Sequence, residues 1–285
     1  MGNEAVENCS HNCDSCGESC SARKMGKADF AVPMNAHSNI KHVIAVMSGK
    51  GGVGKSFVTS ALAVQMQKKG YKVAVLDADA TGPSIPKGFG LHGQVTADNR
   101  GILPAVTKNG IKVISVNLLL DDEETPVVWR GPVIAGTVKQ FWSEVIWGDI
   151  DYMFVDMPPG TGDVPLTVFQ SLPVEGAIIV TSPQQLVGMI VAKAVNMAEE
   201  MEIPVLGFVE NYSYMVCSKC GEHMPVFGES RIDGIAEKYM LPVLAKIPVD
   251  PAVARAADNG EIEELGISWF EETAQFLEKL ARVTM

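Results

Sequence analysis

Gly49-Lys50-Gly51-Gly52-Val53-Gly54-Lys55-Ser56 joins a short β-branched apolar run, residues 42–47, to a stretch of helical composition, residues 57–69. The pattern is GxxxxGK[ST] between a strand and a helix, the setting of a phosphate-binding loop. Its glycines let the backbone turn N–H groups toward phosphates, and the helix N-terminus adds positive potential. All eight residues, Gly49 to Ser56, are therefore expected to bind nucleotide. Lys55 is expected to reach the β- and γ-phosphates, and the Ser56 hydroxyl to ligate Mg²⁺. The alternative is a glycine-rich turn without a ligand, but chance matches rarely have both flanks right.

Outward from this loop, strand-like runs alternate with helical ones. Residues 72–76 end at Asp77, 111–116 form another run, and 152–155 end at Asp156. Residues 177–181 and 243–247 are further strands, and 205–209 form one ending at Glu210-Asn211. Helices are expected over 132–147, opened by Pro132, and over 269–281; Val187, Ile190, Val191, Ala194, Val195 and Ala198 recur at helical spacing. Such alternation predicts an α/β fold, a doubly wound, mostly parallel sheet with helices on both faces. Ligands of these sheets sit beyond the carboxyl ends of the strands. Those ends carry residues 49–56, Asp77, Asp156, Thr181 and Asn211. Residues 88–104 are irregular, with 102–106 as half of a hairpin.

The 285 residues include 34 acidic and 23 basic side chains, a net charge of −11, which argues against a nucleic-acid binder. No apolar run approaches the roughly 18–20 residues of a membrane span. The N-terminus lacks the apolar core of a secretory signal, and Val6 occupies the place a myristoylation motif gives to Ser or Thr. A cytoplasmic protein is expected. Residues 1–39 are polar and aperiodic and read as a tail that orders on binding something; residues 40–285 read as the phosphate-loop domain. Reduced thiols in that compartment suggest metal or cluster ligation rather than disulfides. Four of the six cysteines, Cys9, Cys13, Cys16 and Cys20, lie in the tail, and Cys217 and Cys220 form a CxxC pair.

Two carboxylates at Asp77-Ala78-Asp79 can hold Mg²⁺ through water and orient an attacking water, with a capping role as the alternative for Asp77. Asp156, followed by Met157-Pro158-Pro159-Gly160-Thr161-Gly162-Asp163, suits a Mg²⁺-sensing switch that moves when the γ-phosphate leaves. The CxxC pair alone is open to a cluster, to zinc with His223 as third ligand, or to a metal-free structural role. Four tail thiols can wrap one [4Fe–4S] cluster within a chain; zinc with His11 and a redox-active tail are the alternatives. Trp129, Trp142 and Trp147 read as core or dimer packing. Methionines near Tyr214-Met215 read as core, or as a face for docking a client.

The KGGVGK[ST] loop resembles the deviant Walker A loop of the MinD/ParA/nitrogenase-iron-protein superfamily. That resemblance implies that Lys50 reaches across a homodimer to the partner's nucleotide, that Asp79 orients water, and that Asn211 contacts adenine. The run Val209-Glu210-Asn211-Tyr212-Ser213-Tyr214 with Cys217-Ser218-Lys219-Cys220-Gly221 narrows the choice. So do Gly82-Pro83-Ser84-Ile85-Pro86, Trp129-Arg130-Gly131-Pro132 and the Asp156–Asp163 motif. Together they resemble the Mrp/ApbC family of ATP-binding iron–sulfur cluster carriers over about residues 40–260. The resemblance implies a slow ATPase whose Cys217 and Cys220 share a bridging [4Fe–4S] cluster between protomers for delivery to apoproteins. It implies a four-cysteine tail cluster in some members, at wider spacing than here. A partition-type ATPase would need a basic face or a membrane helix, and the tail from Ile267 is too acidic for one. A nitrogenase-like electron donor would use the same bridging cluster.

Overall fold

β1 (Ser38–Met47) runs through the middle of the sheet in the computed structural model, which describes residues 30–80, 82, 84–120, 131–184 and 187–283. Parallel to it lie β2 (Val73–Asp77), β6 (Lys112–Ile114), β7 (Gly148–Asp156), β8 (Gly176–Thr181), β9 (Val205–Val216) and β11 (Val243–Pro248). Short antiparallel strands, β5 (Ala105–Val106) and β10 (His223–Met224), pair with β6 and β9. The order is β10-β9-β8-β1-β7-β2-β6-β5, with β11 also beside β9. A separate ribbon joins β3 (Ala97–Asp98) to β4 (Gly101–Ile102). The stretch expected as half of one hairpin is thus shared between two.

Side chains of β1 alternate between two cores, as the two-residue period of a strand dictates. Val43, Ala45 and Met47 face one; Ile44 and Val46 face the other. The first core is covered by α3 (Gly131–Ser143), α4 (Asp163–Ser171), α5 (Val187–Glu200) and α6 (Ile232–Tyr239). The second is covered by α1 (Lys55–Lys68) and α8 (Glu271–Val283), whose Ala274, Leu277 and Ala281 repeat at helical spacing. Between them in sequence lie the one-turn α2 (Ile85–Gly88) and α7 (Pro251–Asn259). This is the expected doubly wound fold. Among the described residues no helix is long and apolar enough to cross a membrane.

Three boundaries differ from expectation for physical reasons. The strand expected to end at Glu210-Asn211 continues to Val216. Glu210 is buried there because the hydroxyls of Ser213 and Ser230 donate to its two oxygens at 2.5 and 3.0 Å. Asn211 is consequently mid-strand. The helix expected over 132–147 stops at Ser143, because the backbone of 144–146 pairs with Ile102 (Ile146 N–H to Ile102 O, 2.8 Å). β1 begins at Ser38, and the described chain before it is packed down: Val32 N–H donates to Ser171 O at 3.1 Å and Trp142 Nε1 to Val32 O at 3.0 Å. Trp142 and Trp147 are core residues. Cys9, Cys13, Cys16, Cys20 and Trp129 lie outside the described residues.

Candidate nucleotide and thiol sites

The phosphate loop leaves β1 and wraps the first turn of α1 with Gly51 and Gly52 exposed. Gly52 and Gly54 both have φ of 78°, left-handed backbone that suits glycine. Gly54 carries a second constraint, since a Cβ there would overlap the Asn211 side-chain amide, whereas one at Gly52 would meet nothing within 4 Å. Gly52→Ala is therefore expected to cost about 1–2 kcal/mol from backbone alone. Gly54→Ala adds the overlap, and nucleotide affinity measured by calorimetry should fall at least about ten-fold further than in Gly52→Ala. Equal losses in the two variants would show that the Asn211 contact does not position the loop.

A cleft of about 440 Å³ opens over the loop, lined by Gly51, Lys55, Ser56, Asp79 and Pro159 and reaching Ala257 on α7. At its floor Asp156, the last residue of β7, collects three donors. Oδ2 accepts from Lys55 Nζ at 2.8 Å and Ser56 Oγ at 2.6 Å; Oδ1 accepts from Thr59 Oγ1 at 2.6 Å. Lys55 Nζ also lies 3.6 Å from Asp79 Oδ2. Thus the two groups expected to meet phosphate and Mg²⁺ are held together at one carboxylate. The following turn touches the loop through Gly160 N–H to Ser48 O, 2.8 Å.

Asp77 is placed differently. It is fully buried and does not line the cleft; Oδ1 accepts from Asp79 N–H at 3.0 Å and Oδ2 from Ser115 Oγ at 2.9 Å. Burial, reinforced by the neighbouring Asp156 carboxylate, pushes its carboxyl well above the usual carboxylate range. The geometry gives Asp77 the shaping of the Asp79 turn, the alternative open at the sequence. Lys50 Nζ donates to Gln184 Oε1 of its own chain. Asn211 Nδ2 donates to Val53 O at 3.0 Å and Oδ1 accepts from Tyr212 N–H at 2.9 Å, so its side chain ties β9 to the phosphate loop. Sequence reasoning missed Thr59, Ser115 and Gln184. Thr59, one helical turn past Ser56, was the one with a readable signal.

The residues present fit a Mg²⁺-nucleotide. Exposed loop glycines and the N-terminus of α1 suit phosphate. The Ser56 hydroxyl and the Asp79 carboxylate, both on the cleft, are oxygen donors of the kind Mg²⁺ takes, with Asp156 behind them.

The thiols occupy the tip of the β9–β10 hairpin. Val216 pairs with His223 and Met215 with Met224. Cys217 N–H then donates to Glu222 O and Gly221 N–H to Cys217 O, both at 2.9 Å, with Gly221 at φ 76° closing the turn. Backbone N–H groups of Cys220 and Lys219 face the Cys217 sulfur and, with the Cys220 thiol, hold its pKa below the ordinary thiol value. Both thiols are free, Cys220 exposed and Cys217 half-buried. The His223 ring stacks on Tyr214, 4.2 Å between centroids. Among the described residues no three His, Cys, Asp or Glu side chains are grouped as a metal site.

Residues 39–284 match the ParA family of NUBPL iron-transfer P-loop NTPases. An iron–sulfur cluster carrier protein of Clostridium perfringens is 45% identical over 267 residues, covering 89% of this chain and 94% of that one. A protein of the same description from Methanocaldococcus jannaschii is 44% identical over 258 residues, covering 88% and 89%. Among solved structures, a nucleotide-binding protein of Archaeoglobus fulgidus, in complex with ADP and with cobalt found, superposes with a TM-score of 0.74. It is 46% identical and covers 81% of this chain and 91% of its own. The cell division ATPase MinD of Pyrococcus furiosus, 22% identical, shares the fold with a TM-score of 0.62 over 84% of this chain and 99% of its own.

Proposed function

The chain belongs to the family of NUBPL iron-transfer P-loop NTPases, and on that premise we propose that it is an ATP-hydrolysing carrier of iron–sulfur clusters. One observation carries the reading. A single strand, β9, touches the phosphate loop at Asn211 and ends at two free thiols.

Two thiolates supply half of the ligands of a [4Fe–4S] cluster. A second copy of the chain supplies the rest, so that Cys217 and Cys220 of both protomers bridge a cluster that separation of the protomers releases to an apoprotein. Lys50 leaves Gln184 and reaches the partner's nucleotide. Lys55 leaves Asp156 for the β- and γ-phosphates, Ser56 turns to Mg²⁺, and Asp79 orients water. Cys9, Cys13, Cys16 and Cys20 hold a second cluster within each chain. The work is cytoplasmic.

Reconstitution with iron and sulfide without oxygen, followed by Mössbauer spectroscopy and gel filtration, tests the reading. A [4Fe–4S] signature should co-elute with a dimer and pass to an apoprotein. A cluster confined to monomers would overturn the bridging arrangement. Asp79→Asn should bind ATP normally but hydrolyse it about 100-fold more slowly, as removal of a water-orienting base does. Unchanged phosphate release would move that role elsewhere.

A further inference from the structure

A second cavity, about 460 Å³, lies beside the thiol turn, between the β9–β10 hairpin and the junction of β11 with α7. Three of its lining residues are Met215, Met224 and Cys217. Met215 and Met224 are direct partners in the antiparallel register, so their side chains leave the same face of the hairpin. Cys217, two residues beyond Met215 and just past the end of β9, lines the same cavity, as do Val216 and Ser218. The remaining wall is largely apolar, including Pro248, Val249 and Pro251. Its one carboxylate, Asp250, accepts the Ala252 N–H at 2.8 Å and caps α7. Cys220 does not line this cavity.

One thiolate and two thioethers lining one largely apolar hollow are a soft donor set, which suits Cu(I) and disfavours harder cations. The charges agree. A single thiolate with Cu(I) is neutral and can be held against apolar walls, whereas a divalent ion would leave a net charge there. We propose that Met215, Met224 and Cys217 form a three-sulfur site for a soft monovalent cation, Cu(I), distinct in its ligands from the Cys217–Cys220 pair. The site does not depend on the carrier reading. Because Cys217 belongs to both donor sets, Cu(I) and a cluster exclude each other at this turn.

The test uses the full chain with Cys9, Cys13, Cys16 and Cys20 replaced by serine, so that only the turn contributes thiols. Cu(I) is added without oxygen against bathocuproine disulfonate. One Cu(I) per chain should resist the competitor, with three sulfur scatterers in X-ray absorption. Cys217→Ser should abolish this binding and Cys220→Ser should retain it. Met215→Leu with Met224→Leu should weaken it about ten-fold or more, while iron–sulfur reconstitution is unchanged. If the double variant does not fold, as judged by ADP binding, each single leucine variant gives the same reading at smaller size. Wild-type Cu(I) affinity without the methionines, or equal losses from Cys217→Ser and Cys220→Ser, would overturn the three-sulfur site. Failure of reconstitution in wild type would count against the carrier reading alone, since the copper arm uses no iron.

Discussion

Lys55→Ala is expected to lose productive ATP binding and, separately, to destabilise the nucleotide-free protein. The first effect follows from removing the charge at the β/γ-phosphates. A hydrogen bond to a charged group contributes about 1.5–3 kcal/mol, hence roughly a ten- to hundred-fold loss in affinity. The second follows from the floor of the cleft. Lys55 is the cation held between Asp156 and Asp79, beside the buried Asp77. Deleting one member of a buried pair leaves the other uncompensated, at about 3–5 kcal/mol. Calorimetry with ATP and urea unfolding without nucleotide measure the two effects independently. Wild-type ATP affinity would refute the phosphate-loop assignment; unchanged unfolding would show that Asp156 is satisfied by Ser56 and Thr59 alone.

Cys217→Ala with Cys220→Ala is expected to abolish the cluster that depends on dimerisation, and transfer with it. Iron should fall from about twelve to about eight per dimer, by the stoichiometry of a [4Fe–4S] cluster in each tail plus one shared. ATP binding should survive, because the Asn211 side chain that bonds Val53 of the phosphate loop leaves β9 six residues before Cys217. Replacing the four tail cysteines should lower iron by about eight per dimer, twice as much, yet leave cluster-dependent dimerisation intact. A CxxC double variant that still transferred cluster at the wild-type rate would refute the carrier mechanism.

Much of this was legible in the sequence because the informative features are local. The phosphate loop is contiguous, and β-branched runs such as 42–47 announce strands buried on both faces. The closing helix shows its stripe at Ala274, Leu277 and Ala281. What escaped depends on partners distant in the chain. Glu210-Asn211 reads as a strand end, because a polar pair inside a buried strand is costly until Ser213, Ser230 and the Val53 carbonyl answer it. The task of Asp77 is set by Ser115, 38 residues away. α7 was legible and overlooked: Asp250-Pro251 is a cap followed by a proline at the first helical position.

The continuity of β9 has a mechanical consequence. Asn211 is pinned at the phosphate loop, and Cys217 stands six residues further, past the bend that Tyr212 makes with its φ of 60°, so at most about 20 Å away at the rise of a strand. Where such an arm moves as one piece it acts as a lever with its fulcrum at Val53, which Asn211 holds. A ten-degree rocking at the fulcrum would sweep the sulfurs through up to about 3.5 Å over that arm, comparable with a metal–sulfur bond of about 2.3 Å. Displacements too small to disturb the fold around the nucleotide are thereby geared up, at the far tip, into the difference between a closed coordination sphere and an open one.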